Sequence, residues 1–365
     1  MADIKTHLRE LSVAVAIGCL KTKTPFLSAF TPIGFMNIAN NTVSGDIKSA
    51  DNILSLSVFN QEHIDIINNG ISLGEYIYNK FKITKDDDIT WQGNDTKKGD
   101  PVDLVVGRHG FSLKESSLIL ENMGLYRFLS LLTNKEYQRG LHVFEEFATD
   151  EYKDWFKYTW NKLINFNNWS KTFPKYQSSF TVGESYVDFN FNNESECRVP
   201  VSISTPDQFM KHTNPKIREN VFSKWISENL KKDTEYLRLK KICSETAGQN
   251  MCQLINDNLN TSNLARLLQL RKYEYFYAKS TGNELKVLRV PSIYDYSEEI
   301  VVYRIEYSVP ASQLNIITTI KNTVTGNTFE IRNECRFSHG QFNGTPEAKM
   351  YYGRNGDLSI IYTSI

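Results

Sequence analysis

The feature that most constrains the fold is the stretch GDPVDLVVGRHGFSLKESS at residues 99–117, in which two apolar segments flank a short turn bracketed by glycines. Glycines at such positions permit a two-residue hairpin loop, here Arg108 and His109. With that loop, the strand register places Asp103 directly opposite Lys114 on the same face of the sheet, with Cβ atoms ~5 Å apart. The sequence therefore predicts a β-hairpin that carries one carboxylate and one ammonium group at the edge of a small sheet.

The other residues of this hairpin alternate between apolar and polar side chains, which is the pattern of strands with one face on a core. The side chains expected to face that core are Leu104, Val106, Phe111 and Leu113. At 365 residues and 40% hydrophobic content, the chain is long and apolar enough to bury such a core. We therefore expect a globular protein of one large domain or two ordinary ones.

The charge balance and the cysteines argue against several classes of protein. Lys and Arg total 42 and Asp and Glu total 42, so a strongly charged partner must be bound by a local patch. The five cysteines are scattered without a CxxC pair, which favours a reducing compartment over a disulfide framework or a zinc cluster. We therefore expect a cytoplasmic protein.

The apolar run at residues 11–20 is similar to the core of a signal peptide, but Asp3 and Glu10 are acidic and no good cleavage site follows. We interpret this run as a buried N-terminal helix. No apolar run reaches the ~20 residues of a membrane span, so no membrane partner is expected.

The pattern of apolar residues changes between helical and strand-like segments along the chain. Helical periodicity covers most of residues 4–84, 121–134, 144–166 and 205–258. In the first of these segments, the safest helix extends from about Ser72 to Lys82. Strand patterns fill residues 178–203 and much of the last hundred residues. The predicted class is α+β, with a small mixed sheet flanked by helices and a β-rich C-terminal part. We place the division between residues 1–170 and 171–365, with a single continuous domain as the alternative.

A carboxylate and a lysine on neighbouring strands are suited to metal-dependent cleavage of phosphodiester bonds. Asp103 would bind a hard cation such as Mg²⁺, and Lys114 would orient water and offset charge in the transition state. Such a site needs a second carboxylate. The candidates are Glu75, Glu121, Glu115 and Asp100.

These residues resemble the motif of the PD-(D/E)xK nuclease superfamily, and in particular that of type II restriction endonucleases. In that pattern an acid begins one strand, an acid-x-lysine triplet lies on the next, and a helical glutamate often precedes both. Asp103, Lys114 and Glu75 match the first acid, the lysine and the helical glutamate. Ser112 replaces the acid of the triplet. Some family members of this kind recruit a carboxylate from the following helix, which nominates Glu121.

The resemblance covers residues 60–135, about a fifth of the chain, and implies a restriction-endonuclease-like core with Mg²⁺ as cofactor. It also implies a sequence-specific enzyme that hydrolyses double-stranded DNA. Cleavage of both strands of a palindrome favours a homodimer. The functional counterpart of such an enzyme is a DNA methyltransferase of matching specificity.

Two segments in the second half of the chain carry side chains suited to DNA. Residues 211–241 contain nine Lys and Arg against four Asp and Glu, which fits phosphate contacts or an ordinary solvated helix surface. Residues 336–349, RFSHGQFNGTPEAK, offer donors and acceptors for base edges, although FNGT is also a normal hairpin turn. The predicted DNA-binding residues are Arg336, Ser338, His339, Gln341, Asn343, Thr345, Lys349, Lys279 and Arg108.

Other interpretations of the hairpin stay open. An aspartate opposite a lysine is also an ordinary cross-strand ion pair at a sheet edge. The missing acid at Ser112 favours a DNA-binding protein without catalysis, and an incidental hairpin fits a structural or interaction protein. The sequence contains neither a Walker A loop nor a GxGxxG fingerprint, so it gives no indication of a nucleotide-binding enzyme.

Overall fold

A computed structural model of the chain describes residues 4–26, 30–93, 102–114, 119–137, 143–165, 169–192, 195–281, 284–296, 299–344, 346–353 and 363–364. The chain divides into two compact units. The first unit consists of Met1–Leu118, Ala265–Glu298 and Asp357–Ile365, and the second consists of Ile119–Leu264 and Glu299–Gly356. The boundaries of these units differ from the predicted division at residue 170. The reason is that the strands within residues 275–290 belong to the sheet of the first unit.

The helices lie in both units. In chain order they are α1 (Ile4–Thr22), α2 (Pro32–Thr42), α3 (Asp51–Leu54), α4 (Gln61–Lys80), α5 (Leu125–Thr133), α6 (Val143–Phe147), α7 (Thr149–Ile164), α8 (Pro206–His212), α9 (Pro215–Ile217), α10 (Ser223–Asn229), α11 (Thr234–Asp257), α12 (Leu264–Leu267) and α13 (Ile293–Tyr296). A π-helical turn, Arg218–Phe222, joins α9 to α10. Among the described helices, none combines the length and the apolar character needed to cross a bilayer.

The strands form three sheets. In chain order they are β1 (Ser44–Gly45), β2 (Ile89–Trp91), β3 (Leu104–Val106), β4 (His109–Lys114), β5 (Ile119–Gly124), β6 (Trp169–Phe173), β7 (Ser178–Val182), β8 (Tyr186–Phe191), β9 (Ser195–Pro200), β10 (Tyr275–Thr281), β11 (Glu284–Val290), β12 (Ile300–Ser308), β13 (Asn315–Asn322), β14 (Thr328–Arg336), β15 (Glu347–Tyr352) and β16 (Thr363–Ser364). The α+β class is confirmed. So are the strands predicted after residue 178 and in the last hundred residues.

Helix α4 begins at Gln61, so the predicted start at Ser72 was wrong. Asn60 caps the helix with its side chain. Gly70 does not break the helix because it packs against α1, where an added Cβ atom would lie 2.4 Å from the Cβ of Ser12. This glycine therefore permits the close packing of α1 on α4 and does not mark a turn.

The sheet of the first unit has the order β1-β2-β3-β4-β10-β11-β16. Strands β2, β3 and β4 form an antiparallel meander, and β10 lies parallel to β4. Phe81, just after α4, contacts the rings of Phe111 and Phe276 edge-on. One apolar core joins α1 and α4 to this sheet and contains the predicted inward-facing residues Leu104, Val106, Phe111 and Leu113.

The second unit contains two antiparallel sheets, β12-β13-β14-β15-β5 and β6-β7-β8-β9. Its core is strongly aromatic, and the ring of Phe342 contacts those of Trp155 and Phe156. Glu121 lies in β5, and helix α5 begins only at Leu125. The predicted helix from residue 121 was therefore wrong at its start.

Candidate active site

The predicted hairpin of β3 and β4 forms, but its loop begins at Gly107, one residue earlier than expected. Gly107 has a φ of 56°, which suits the first position of a tight hairpin loop and is costly for residues with a side chain. Continuing this register places Asp103 level with Ser112. The predicted pairing of Asp103 with Lys114 was therefore wrong.

Asp103 is held where the pairing of β3 with β4 ends. Its main-chain N–H donates to the carbonyl of Phe111 at 2.9 Å. Its Oδ2 accepts hydrogen bonds from the main-chain N–H of Leu113 at 2.7 Å and from Oγ of Ser112 at 3.2 Å. The carboxylate is therefore positioned by β4, the strand that carries Lys114, and the buried Ser112 supports it.

A second carboxylate reaches this place from α1. The side chain of Glu10 is buried, and its Oε2 accepts a hydrogen bond from Nε1 of Trp91 at 2.9 Å. Burial and, secondly, the negative charge of Asp103 raise the pKa of Glu10 to about 8. The Trp91 hydrogen bond and the positive charges of Lys114 and Arg9 oppose that rise in the pKa. Glu10, Asp103 and Lys114 are therefore electrostatic neighbours.

Glu10 was not predicted as a site residue. Its acidity was interpreted only as an argument against a signal peptide. The sequence does contain a signal for it. Leu8, Leu11 and Val13 around it are fully buried, so Glu10 is a carboxylate within the apolar part of a helix. Burying a carboxylate is costly, and strongly perturbed carboxyl groups concentrate at functional sites.

Lys114 ends strand β4. Its Nζ lies 5.7 Å from the ring centroid of the buried Tyr277, which is a cation–π contact. Lys114, Arg9 and Ser280 also share the lining of a small pocket. This pocket has a volume of only about 10 Å³, which is no more than one water molecule needs, so it brings two positively charged side chains together without forming an anion cavity. We call Glu10, Asp103, Ser112 and Lys114 the hairpin site.

The glutamates predicted to complete the site are placed differently. Glu75 is exposed on α4 and lines a separate groove of about 330 Å³ together with Cys19 and Lys23. Glu121 belongs to the second unit, and the structure describes its backbone and not its side chain. Glu115 and Asp100 lie outside the described residues. The helical glutamate that the structure brings to Asp103 is therefore Glu10.

Residues 70–74, GISLG, match the GxSxG pattern of serine hydrolases but lie in the middle of α4. Oγ of Ser72 donates to the carbonyl oxygen of Asn68 at 3.1 Å. A nucleophile elbow needs a strained turn between a strand and a helix. This segment is helical throughout, so it does not form such an elbow.

Two of the predicted DNA-binding residues belong to the first unit. Arg108 is exposed in the hairpin loop, at the end of β4 that is remote from Lys114. Lys279 lies in β10 and is the direct register partner of Lys114. Lys279 thus extends the positive charge of the hairpin site to the next strand.

The C-terminal segment predicted to read base edges belongs to the second unit. We call residues 337–344 the Arg218 loop, because the buried Arg218 anchors it. Oδ1 of Asn343 accepts a hydrogen bond from Nε of Arg218 at 2.8 Å. Nδ2 of Asn343 donates to the carbonyl oxygens of His339 at 2.8 Å and Pro215 at 3.3 Å. Phe342 is fully buried. These contacts hold the loop on the π-helical turn.

The other predicted residues of this segment have varied surroundings. Oγ of Ser338 donates to the carboxylate of Glu347, and Nδ1 of His339 lies 3.3 Å from Oε1 of Glu219. Lys349 pairs with Glu347 at 3.8 Å. Arg336 is exposed at the end of β14 and Gln341 is half-buried, while Thr345 lies outside the described residues. The role of these residues in DNA binding stays a prediction.

The basic segment at residues 211–241 forms helices α8 to α11 with the π-helical turn. Several of its cations are paired with acids of the same or neighbouring turns, namely Lys211 with Asp207, Arg238 with Glu235 and Lys241 with Glu245. Burial lowers the pKa of Arg218. The excess positive charge of this segment is thus partly balanced by its neighbours.

The donor set of the hairpin site fits Mg²⁺. This ion prefers oxygen ligands and is usually held by one or two carboxylates together with waters and substrate phosphates. Glu10 and Asp103 supply two carboxylates, and their mutual repulsion adds to the effect of burial in raising the pKa of Glu10. A divalent cation would relieve that repulsion. Within the part of the chain that the structure describes, no cluster of three or more His, Cys, Asp and Glu forms an alternative metal site.

Comparisons with protein-family models, with curated proteins and with solved structures found no match to this chain.

Proposed function

We propose that this protein is a Mg²⁺-dependent, sequence-specific endonuclease for double-stranded DNA, of the PD-(D/E)xK type. The observation that carries the proposal is the electrostatic proximity of Glu10 within α1, Asp103 just before β3 and Lys114 at the end of β4. A lone cross-strand ion pair would not need a buried glutamate from a helix beside it. Burying that glutamate costs stability, which favours a function for it.

The order of the elements supports the same class. A helix with a glutamate, a strand with an aspartate and a strand with a lysine follow one another in the order that the superfamily motif requires. Strands β2, β3 and β4 are an antiparallel meander, and β10 adds in parallel to β4. We infer that this arrangement is a restriction-endonuclease-like core, with residues 119–264 of the second unit between β4 and β10 and residues 299–356 of that unit after β11.

Each side chain of the hairpin site has a distinct task in this proposal. Asp103, held by the Leu113 amide, and Glu10, once it has released its proton, would hold the metal ion. When bound, Mg²⁺ would polarise a phosphoryl oxygen and lower the pKa of a coordinated water. Lys114 would orient the attacking water and offset the charge that develops on the phosphate. Ser112 would keep the Asp103 carboxylate in place.

A DNA-binding protein without catalysis is the second candidate. The observation that favours it is that Ser112 stands where the motif has an acid. The Ser112 hydroxyl donates to Asp103, and among the described residues the site has two carboxylates, Glu10 and Asp103.

Incubation with mixed DNA substrates in Mg²⁺ and in EDTA separates the two candidates. We expect discrete fragments in Mg²⁺, none in EDTA, and loss of cleavage with retained DNA binding in Asp103→Ala and Lys114→Ala. Glu10→Gln should also lose cleavage, whereas the matched helical variant Glu75→Gln should keep it. DNA that stays intact with every divalent ion tested would exclude the nuclease.

Cleavage of both strands of a palindromic site would require two copies of the hairpin site, so we propose a homodimer on DNA. A cognate DNA methyltransferase is part of the same proposal. Sedimentation of the protein with a cleavable duplex in Ca²⁺ tests the stoichiometry, for which we expect two chains per duplex.

A further inference from the structure

Three lysines occupy one row of the sheet in the first unit. Lys279 of β10 is the register partner of Lys114 in β4, and it is also the register partner of Lys286 in β11. Residues that are register partners on adjacent strands project from the same face, about 5 Å apart. We call these three residues the lysine row, which crosses three strands over a distance of roughly 10 Å.

The lysine row lies on the face of the sheet opposite to the α1–α4 core. Leu113, Ala278 and Val287, each adjacent in sequence to one of the lysines, all belong to that core. Because side chains alternate along a strand, Lys279 and Lys286 point the other way, and Nζ of Lys114 lies over the Tyr277 ring on that same side. Lys114 ends β4 and also borders the α1–α4 side at the sheet edge. Lys279 and Lys286 are partly exposed, so their ammonium groups can meet solvent or a ligand.

The fold by itself does not account for this arrangement. Like charges directly opposite each other on neighbouring strands are destabilising. Among the residues that the structure describes, no carboxylate oxygen lies within 4 Å of Nζ of Lys114, Lys279 or Lys286. Elsewhere in the first unit, Arg289 shows the contrary behaviour, since it pairs with both Glu274 and Asp295. Lys114 is partly balanced by the neighbouring carboxylate of Glu10, whereas no described carboxylate pairs with Lys279 or Lys286, so these two cations are available to an external anion.

We propose that the lysine row binds consecutive phosphates of one nucleic-acid strand and leads that strand to the hairpin site. This inference rests on the proposed function and specifies where its substrate lies. Lys114 belongs to both the row and the hairpin site, so a backbone that follows the row brings a phosphodiester beside Asp103. The row makes no contact that distinguishes bases, and its contribution to binding is independent of sequence.

The test uses a fluorescent duplex titrated with the full chain in EDTA, where cleavage does not occur, at several KCl concentrations. Each lysine–phosphate contact contributes about 0.9 to the slope of log K against log salt. Lys279→Gln combined with Lys286→Gln should therefore reduce the slope by about 1.8 and weaken binding roughly 10- to 100-fold near 0.1 M salt. Lys114 is left intact so that the hairpin site is unchanged.

The matched control is Lys80→Gln combined with Lys85→Gln. Both lysines are exposed residues of the first unit. Phe81, next to Lys80, contacts His109, which is at the end of β4 remote from Lys114. This control removes the same charge and should leave the slope and the affinity unchanged. The row variant should unfold at the same temperature as the wild type or a higher one, because like-charge repulsion is removed.

The outcomes separate this inference from the nuclease proposal. If the wild type cuts DNA and the row variant has the same affinity and salt slope as the control, the lysine row does not bind DNA. That result leaves the nuclease proposal unaffected. A wild type that binds DNA through the row and never cuts supports the row and overturns the nuclease. If the protein binds vesicles with 30% phosphatidylserine and does not bind DNA at low salt, the lysine row is not a nucleic-acid site.

Discussion

The hairpin site of the first unit and the Arg218 loop of the second unit are both rich in polar side chains, but they differ in how their charges are balanced. In the loop, Asn343 uses both ends of its amide and joins Arg218 to two main-chain carbonyls. In the hairpin site, burial and, secondly, the negative charge of Asp103 raise the pKa of Glu10 to about 8. The loop is arranged for stability, whereas the hairpin site carries a charge conflict that a bound cation would resolve.

This difference shows why polar composition is a poor guide to function. Both segments offered donors and acceptors in the sequence, and the loop offered more of them. At the loop, the buried guanidinium of Arg218 is offset by hydrogen bonds to Asn343 and Thr213, whereas Glu10 is buried beside another carboxylate.

The largest effect is expected for Asp103→Asn. The amide oxygen can still accept the hydrogen bond of the Leu113 amide, so the fold should be kept. Loss of the negative charge should lower the rate of DNA cleavage in Mg²⁺ by about 100-fold or more. Single-turnover cleavage measures the rate, and circular dichroism checks the fold. If the variant cuts at the wild-type rate, the hairpin site would not differ from the Arg218 loop in having a catalytic role.

A second prediction concerns the pH dependence of stability. The folded state keeps a proton on Glu10 up to a pKa of about 8, whereas the unfolded chain releases it near pH 4.5. Between these values the folded state binds more protons, so the free energy of unfolding should fall as the pH rises, by up to about 1.4 kcal/mol per pH unit. Above pH 8 this fall should level off.

Glu10→Gln should remove that contribution, because glutamine does not titrate. Urea unfolding of wild type and variant from pH 5 to pH 9 measures the difference, and the variant should be the more stable protein above pH 7. Parallel curves for the two proteins across this range would show that Glu10 is not the strained group we infer.

The third prediction concerns the Arg218 loop. Asn343→Ala leaves the buried guanidinium of Arg218 without one acceptor, which should reduce the free energy of unfolding by about 2 kcal/mol. His339→Ala removes only an exposed contact with Glu219 and should cost less than about 0.5 kcal/mol. Urea unfolding measures both. The comparison of the two regions fails if Asn343→Ala keeps full stability and instead abolishes DNA binding.

Within the hairpin site, the smallest effect is expected for Ser112→Ala. This change removes one hydrogen bond to the Asp103 carboxylate and leaves the Leu113 amide in place. Stability should fall by about 1 kcal/mol. Cleavage, which depends on the position of Asp103, should fall by less than tenfold. A complete loss of cleavage without a change in fold would instead show that Ser112 acts in the chemistry itself.

Part of the hairpin site could be predicted from local patterns. The hairpin, its inward-facing residues and the presence of an acid and a lysine near one sheet edge follow from alternation and glycine spacing. The loop position could not be predicted to one residue, because Gly107 and Gly110 both permit a tight turn. The start of α4 was missed because Gly70 reads as a breaker until its packing against Ser12 is known.

The sequence by itself determined the α+β class, the strands of the C-terminal half and the two residues, Asp103 and Lys114, around which the site is built. These depend on periodicity and turn chemistry, which are local properties of a chain. Only the tertiary structure showed that the buried Glu10 lies near Asp103 and that Lys279 and Lys286 align with Lys114. The reason is physical: burial and charge proximity arise from residues far apart in the chain, and no local spacing encodes them.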